Sequence, residues 1–213
     1  MQEGLYDEAE GELKAALNLF PEYAGPESPY RLLATLHRQR GELERAAMAL
    51  QRLGDLGETA YEAHLEEAEI WLELGDSVAA ARALEKVVEI VPFQMEPHET
   101  LARTYEALGV TDGAIRERRA VLALDPTDRA DAHFRLAVAL ARGGERNEAR
   151  REVLKALELA PSFEPALELL LELVERQEVE LAQVDVAAVC DEFLAYVERA
   201  EELELSIAGE FLV

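Results

Sequence analysis

Apolar residues recur at helical spacing along the chain, in pairs of short segments that end at glycine or proline. In residues 130–163, a stripe through Ala132, Leu136 and Leu140 ends at Gly143-Gly144, and a second stripe from Ala149 ends at Pro161. Steps of three and four residues place each stripe on one face of an α-helix. Glycine is favoured just after a helix, and proline cannot continue its hydrogen-bond ladder. The pattern predicts two packed helices.

This helix pair is repeated along the chain. Gly41, Gly75 and Gly109 are 34 residues apart, and they are followed by the glycine pair at 143–144. Alanines and prolines keep nearly the same period, at Ala46, Ala80, Ala114 and Ala149 and at Pro92, Pro126 and Pro161. One helix pair cannot bury its apolar face alone, so the units are expected to stack into a solenoid.

The unit has Leu, Gly or Ala and Tyr in its first helix, Ala in its second and Pro at its end, and it resembles the tetratricopeptide repeat. The resemblance implies an all-α, right-handed superhelical solenoid of antiparallel helix pairs, with about ten or eleven helices. We predict four repeats, at 27–60, 61–94, 95–129 and 130–163. Glu67 and Arg118 stand where the family usually has large apolar side chains, so we expect looser packing there.

Both ends of the chain depart from the repeat. Residues 1–26 match the second helix of a repeat without its first helix, followed by an insertion, which predicts exposure of Leu13, Leu17 and Phe20 and possible self-association through them. We interpret the chain as a piece of a longer protein; a native capping helix is the alternative. Residues 164–213 carry 14 acidic and two basic residues and predict two capping helices, the second starting near Asp185, with an acidic recruitment surface as the alternative.

Composition narrows the classes of partner. The 213 residues include 45 acidic and 21 basic side chains, for a net charge of −24, which argues against nucleic acid or an anionic membrane as the partner. Cys190 is the only cysteine, so an internal disulfide is excluded. Arginine far outnumbers lysine, which suggests a GC-rich, bacterial genome. The visible N-terminus has no leader, which favours the cytoplasm; a leader upstream of Met1 would indicate the periplasm.

No pattern of catalysis or metal binding is present. The sequence has no H-E-x-x-H, G-x-S-x-G, G-x-G-x-x-G or phosphate-loop motif. His64, His98 and His133 occupy the fourth position of three consecutive repeats. Equivalent side chains of stacked helices lie roughly 8–10 Å apart, whereas zinc ligands lie about 2 Å from one ion. We therefore interpret the histidines as packing residues and predict no enzyme activity, cofactor or metal.

The resemblance also implies where a partner binds, because ligands of this family lie along the first helices of the repeats. The corresponding positions form an acidic band flanked by arginines: Arg31, Arg38, Glu62, Leu65, Glu66, Glu69, Glu73, Glu96, Glu99, Arg103, Glu106, Phe134, Arg135 and Arg142. The Lys and Asn clamp of the chaperone-binding subfamily is not reproduced, since Arg31 and Thr35, then Leu65 and Glu69, hold its positions.

We therefore predict a protein–protein interaction scaffold that binds a peptide or partner segment, with a Lys/Arg-bearing segment as the specific hypothesis. Two alternatives stay open at this point. The chain is a regulatory or substrate-positioning domain of an enzyme whose catalytic part lies elsewhere, or the acidic groove is only a solvated face and the repeats self-assemble.

Overall fold

The computed structural model describes residues 2–25, 27–57 and 61–182, with side chains described for 4–25, 27–57 and 61–175. These residues form ten α-helices and no strand. The helices are α1 (Gln2–Leu19), α2 (Pro29–Gln39), α3 (Leu43–Leu56), α4 (Tyr61–Leu74), α5 (Ser77–Ile90), α6 (Met95–Leu108), α7 (Thr111–Ala123), α8 (Arg129–Arg142), α9 (Arg146–Leu159) and α10 (Glu164–Ala182). The helix predicted from Asp185, and Cys190 within it, lie outside the described residues.

From α1 to α9, each helix packs mainly against the helix before it and the helix after it. Helices α2, α4, α6 and α8 are the first helices of the predicted repeats, and α3, α5, α7 and α9 are the second. The helix α1 packs on α2, as the second helix of a preceding unit would. The predicted all-α solenoid of helix pairs is therefore confirmed; the predicted repeat boundaries stay predictions.

The turns between paired helices follow from the repeat glycines. Gly41, Gly75, Gly109 and Gly144 all have φ between 71° and 80°. Other residues rarely adopt this left-handed conformation, which lets the chain reverse directly after a first helix. Asp76 then caps α5 by accepting a hydrogen bond from the backbone N–H of Ala79 at 2.9 Å.

The periodic alanines lie where two helices approach most closely. Ala46, Ala80, Ala114 and Ala149 are all buried. Larger side chains fill the spaces between helix pairs, with Leu50 and Ile70 in one cluster. Leu84 and Leu101 belong to a second cluster. The sequence period is thus the period at which the core is built, because a small residue lets each pair of backbones come together.

The prediction of looser packing at Glu67 and Arg118 is wrong, since both residues are 3% exposed. Glu67 binds His64 and accepts a hydrogen bond from the indole of Trp71. Arg118 donates two hydrogen bonds to Glu106. Charged side chains replace apolar ones here without loosening the core, because each has a bound partner of suitable chemistry.

The N-terminal helix is less exposed than expected. Phe20 is 68% exposed, but Leu13 and Leu17 are half-buried. Arg40 at the end of α2 binds Asp7 and Glu10 of α1 at 3.0 and 3.2 Å. Self-association through this helix stays a prediction, and its apolar surface is smaller than the sequence suggested.

The chain divides into two compact units, Met1–Leu167 and Glu168–Val213. The first contains α1 to α9 and the start of α10. The second contains the rest of α10, in which Leu173 is buried while Leu171 and Val174 are exposed. Across the part of the chain that the structure describes, no helix is long and apolar enough to cross a bilayer.

We expect Gly54→Ala to lower the free energy of unfolding by about 1–3 kcal/mol, the usual cost of overpacking a core. A Cβ atom on Gly54 would lie 2.4 Å from Cε1 of His64, whose ring is buried and cannot move aside. Urea unfolding followed by circular dichroism measures the change. Gly11→Ala is the control, because a Cβ there meets nothing within 4 Å and should add roughly 0.5–1 kcal/mol of helix stability. Equal effects of the two substitutions would contradict the prediction.

Candidate protein-binding groove

All of the predicted groove residues lie on the first helices of the repeats. Arg31 and Arg38 are on α2, the five residues from Glu62 to Glu73 on α4, the four from Glu96 to Glu106 on α6, and Phe134, Arg135 and Arg142 on α8. First helices follow one another through the stack, so the residues form one row of adjacent surfaces.

The acidic residues of α4 are the most open part of this row. Glu62, Glu69 and Glu73 are exposed, and none of them forms a hydrogen bond or ion pair within the described residues. Glu66 differs, because Nη1 of Arg31 donates to its Oε1 at 2.5 Å. This pair joins the first helices of two successive repeats. It also neutralises one acid that sequence reasoning left uncompensated.

The acidic residues of α6 are divided in the same way. Glu96 is exposed and has no hydrogen-bond partner in the described structure, whereas Glu106 is held by Arg118 of α7. The guanidinium of Arg118 binds both carboxylate oxygens of Glu106, at 2.8 and 3.1 Å. Arg103 is exposed and donates to the hydroxyl of Thr100. The negative charge of the groove therefore comes from fewer residues than the seven that the sequence predicted.

A pocket of about 230 Å³ lies between α6 and α8. Glu99 and Arg135 line it together with three residues that were not predicted as groove residues, Met95, Arg118 and Asp131. Arg135 binds Asp131 at 2.5 Å. This hydrogen bond, with the negative charges of Asp131, Glu106 and Glu99, raises the pKa of Arg135 although burial opposes it. Arg118 was detectable in the sequence as a departure from the repeat; nothing marked Met95.

The two apolar residues proposed as anchors for a partner already have neighbours in the chain. Leu65 packs against the core cluster that contains Leu101. The ring of Phe134 meets Phe163 edge to face, with centroids 5.1 Å apart. Arg38 and Arg142, by contrast, are exposed. The open part of the row is therefore charged, and its apolar members belong to the protein's own packing.

All four histidines of the chain bind a glutamate through Nδ1. The ring-to-carboxylate distances are 2.7 Å for His37–Glu42, His98–Glu117 and His133–Glu152, and 3.0 Å for His64–Glu67. His98 and His133 each reach from a first helix to the second helix of the same repeat. The histidines thus pack inside the repeats as predicted, and each in addition holds an acid that the sequence did not assign to it.

These contacts leave no metal site in the described residues, where no group of three or more His, Cys, Asp or Glu side chains converges. Each imidazole instead faces a single carboxylate, and the four pairs belong to different parts of the stack. The pairs can bind and release protons but offer too few ligands to one ion.

Acid should destabilise the protein partly through Glu152. Burial alone raises the pKa of this carboxyl, but hydrogen bonds from Lys155 and His133, with their positive charges, outweigh burial and hold the pKa of Glu152 below its usual range. In the unfolded chain a glutamate takes up its proton near about pH 4.3. The contribution of Glu152 is therefore present above that pH and is lost as the pH falls through the lower folded pKa.

We expect urea unfolding midpoints to fall as the pH is lowered from 6 to 3, and to fall less steeply in Glu152→Gln. The control is Glu158→Gln on the exposed side of the same helix, which should keep the slope of the unchanged protein. Identical slopes for both variants would show that Glu152 does not contribute to the acid response.

Comparison with curated proteins finds similarity over a short stretch. The chain is 41% identical over 51 residues to Segregation and condensation protein A of Streptococcus uberis, over 24% of this chain and 22% of that protein. It is 44% identical over 52 residues to the protein of the same name from Bacillus pumilus, over 24% of this chain and 21% of that protein. The chain thus spans about a fifth of the length of these relatives.

Solved structures resemble the fold over most of the chain. A MamA structure (RS-1 ArsTM double mutant) has a TM-score of 0.53 and 20% identity, covering 81% of this chain and 94% of that one. YrrB, described as a TPR protein with an unusual peptide-binding site, has a TM-score of 0.51 and 20% identity, covering 78% of this chain and 84% of its own. At this level of identity the likeness shows a common fold.

The family itself is shown by sequence. A profile of the tetratricopeptide repeat matches residues 31–94 and 99–162, which together make up more than half of the chain. These ranges contain α3 to α9, most of α2, and the first-helix residues described above. The period of 34 residues, the stacked helix pairs and the profile all agree, and the chain belongs to the tetratricopeptide repeat family.

Proposed function

We propose that this chain is a protein-interaction scaffold that binds a Lys/Arg-bearing segment of another protein along its first helices. The observation that carries the proposal is the set of exposed acids Glu62, Glu69, Glu73 and Glu96, which have no hydrogen-bond or ion-pair partner within the described residues. Neighbouring acids of the same row, Glu66 and Glu106, are neutralised by arginines.

Electrostatics favours a basic partner at this surface. Glu62, Glu69 and Glu73 follow one another on α4 at spacings of seven and four residues, so they lie on one side of the helix. Like charges at a spacing of four cost a few tenths of a kcal/mol in an isolated helix. A cationic segment would relieve that repulsion and would associate faster at low ionic strength, because opposite surface charges attract beyond contact distance.

The fold supports the same use of the surface. YrrB shares this fold and is described as having a peptide-binding site. In a solenoid, successive first helices present a continuous surface longer than any single repeat, which suits an extended or helical partner segment. The neutral contacts at the ends of the row, such as Phe134 on Phe163, hold the first helices in place rather than offering a vacant apolar pocket.

Charge reversal tests the proposal. The triple variant Glu62→Lys, Glu69→Lys and Glu73→Lys should weaken the binding of a fluorescent Lys/Arg-rich peptide at least tenfold at 50 mM salt, and should remove its salt dependence. These acids bond to nothing in the described structure, so the circular dichroism spectrum should not change. Fluorescence anisotropy over a range of salt concentrations measures both effects.

The matched control reverses three exposed acids on second helices, Glu44, Asp112 and Glu158, and gives the same net charge. If both triple variants lose affinity equally, net charge alone attracts the peptide and the groove is not the site. Binding that survives reversal of the α4 acids at physiological salt would also contradict the proposal.

We infer a second candidate function, in segregation and condensation, from the similarity to the protein of that name. The tetratricopeptide repeat ranges end at residue 162, and residues 163–213 are the one stretch outside them with a length of 51 residues. The similarity extends over 51 residues in the Streptococcus uberis protein. Length therefore favours this C-terminal stretch as the similar one, which would join a repeat scaffold to a segment shared with Segregation and condensation protein A.

Competition tests this second candidate. The chain, immobilised as bait, should capture proteins from a Bacillus pumilus lysate that purified Segregation and condensation protein A of the same organism then displaces. The triple variant of α4 is the control and should retain these proteins, because its changes lie in the repeats. Capture that the competitor does not affect would contradict a shared partner.

A further inference from the structure

Among the four histidines, His98 is the one for which both ring nitrogens have a described partner. Nδ1 lies 2.7 Å from Oε2 of Glu117 on α7, and Nε2 lies 3.0 Å from the carbonyl oxygen of Pro92, in the turn after α5. The side chains of His98 and Glu117 are 9% and 5% exposed. The ring therefore connects three elements of the stack: the turn after α5, α6 and α7.

The two contacts fix the number of protons in the pair. A carbonyl oxygen only accepts hydrogen bonds, so Nε2 of His98 must carry a proton. A second proton must then lie between Nδ1 and the carboxylate of Glu117. It belongs either to an imidazolium facing an ionised glutamate or to a protonated glutamate facing a neutral ring. In both arrangements the pair holds one proton more than a neutral histidine and an ionised glutamate.

Other charges near the pair are already occupied. On α7, Nε of Arg116 donates to Oε1 of Glu117 at 2.9 Å, but the arginine side chain is 64% exposed and its charge is screened by water. The remaining charged residues of α5, α6 and α7 form no hydrogen bond or ion pair with either member of the pair within the described residues: Arg82, Glu85, Lys86, Glu89, Glu96, Glu99, Arg103, Glu106, Asp112, Arg118 and Arg119.

We propose that the His98–Glu117 pair is a proton-dependent clamp, which keeps a proton at neutral and mildly alkaline pH that the unfolded chain releases. Losing this proton leaves either two acceptors facing each other at Glu117 or an unsatisfied carbonyl at Pro92, in a site with little water. An unpaired buried polar group is costly, so the third repeat becomes less stable as the pH rises.

His133 and Glu152 form the matched pair in the next repeat. Their Nδ1-to-Oε2 distance is also 2.7 Å, but no described hydrogen bond involves Nε2 of His133. A neutral ring with its proton on Nδ1 satisfies that contact without an extra proton. The two pairs thus have the same contact to glutamate and differ in the carbonyl of Pro92, which separates a clamp from an ordinary hydrogen bond.

The protonation state can be read directly by NMR of the full chain. Two-bond ¹H–¹⁵N spectra report both nitrogens of each imidazole, and single substitutions assign the four rings. At pH 7.5 we expect two protonated nitrogens at His98, or one together with a protonated Glu117 carboxyl in the ¹³C spectrum. His133 should be neutral at that pH. A neutral His98 ring beside an ionised Glu117 would overturn the proposal.

Unfolding measurements supply the second test. A free histidine is largely neutral above about pH 6.5. Each pH unit from there should therefore lower the folding constant by up to tenfold, for as long as the folded pair alone retains one proton. In Glu117→Gln an amide N–H can donate to Nδ1 while Nε2 keeps its proton, so this decline between pH 6.5 and 8.5 should disappear. Glu152→Gln should retain the decline. Equal declines in both variants would overturn the proposal.

Discussion

Replacing Glu106 by alanine should lower the free energy of unfolding by about 3–5 kcal/mol, the usual cost of leaving a buried charge without its partner. Arg118 is 3% exposed, and both of its hydrogen bonds in the described structure go to Glu106. Without Glu106 the guanidinium keeps its charge in a site where water cannot replace the carboxylate. Chemical denaturation of the purified chain at pH 7 measures the loss.

A second substitution should reverse most of this effect. Leucine at position 118 restores the apolar residue that the repeat usually has there, so Glu106→Ala with Arg118→Leu is expected to be much more stable than Glu106→Ala alone. Glu69→Ala, at an exposed position of α4, should change stability by less than about 0.5 kcal/mol. If Glu106→Ala resembles Glu69→Ala, the ion pair does not hold α6 and α7 together.

Leu101→Ala should cost about 2–5 kcal/mol, the range measured for large-to-small changes in protein cores. Leu101 is fully buried in the cluster shared by α4, α5, α6 and α7. Removing its side chain leaves a cavity between two repeats, and the neighbouring alanines, Ala68 and Ala114, have no side-chain length with which to fill it. Hydrogen exchange should show the largest loss of protection in these four helices.

The control for this substitution is Leu72→Ala in α4, where the leucine is 39% exposed. Its cost should be below about 1 kcal/mol, because little apolar area leaves water there on folding. Similar losses for the two leucines would contradict the assignment of Leu101 to the core between repeats.

The sequence predicted the helices because their signals are local. The stripe through Ala132, Leu136 and Leu140 predicts a helix that the structure places at Arg129–Arg142, and the repeat glycines all take the left-handed conformation expected after a first helix. The period of 34 residues then determines the solenoid, since equal units that cannot bury their apolar faces alone must stack. The positions of the groove residues on α2, α4, α6 and α8 follow from the same period.

The charge of the groove was harder to predict. Arg31 binds Glu66 across 35 residues, and Arg118 binds Glu106 across 12. These pairs depend on how far two helices are rotated and separated, which a one-dimensional pattern does not contain. Counting acids along α4 and α6 therefore overestimated the open negative charge, and it gave Phe134 to a partner although Phe163 already packs on it.

The sequence alone thus determined the helix pairs, their period, the family and the surface that the first helices share. These depend on residue type and spacing, through helical periodicity and the backbone preferences of glycine and proline. Only the tertiary structure decided which charges remain open, that buried glutamates pair with the four histidines, and that His98 also meets the carbonyl of Pro92. Such choices rest on distances of about 3 Å between groups remote in sequence, and packing alone sets those distances.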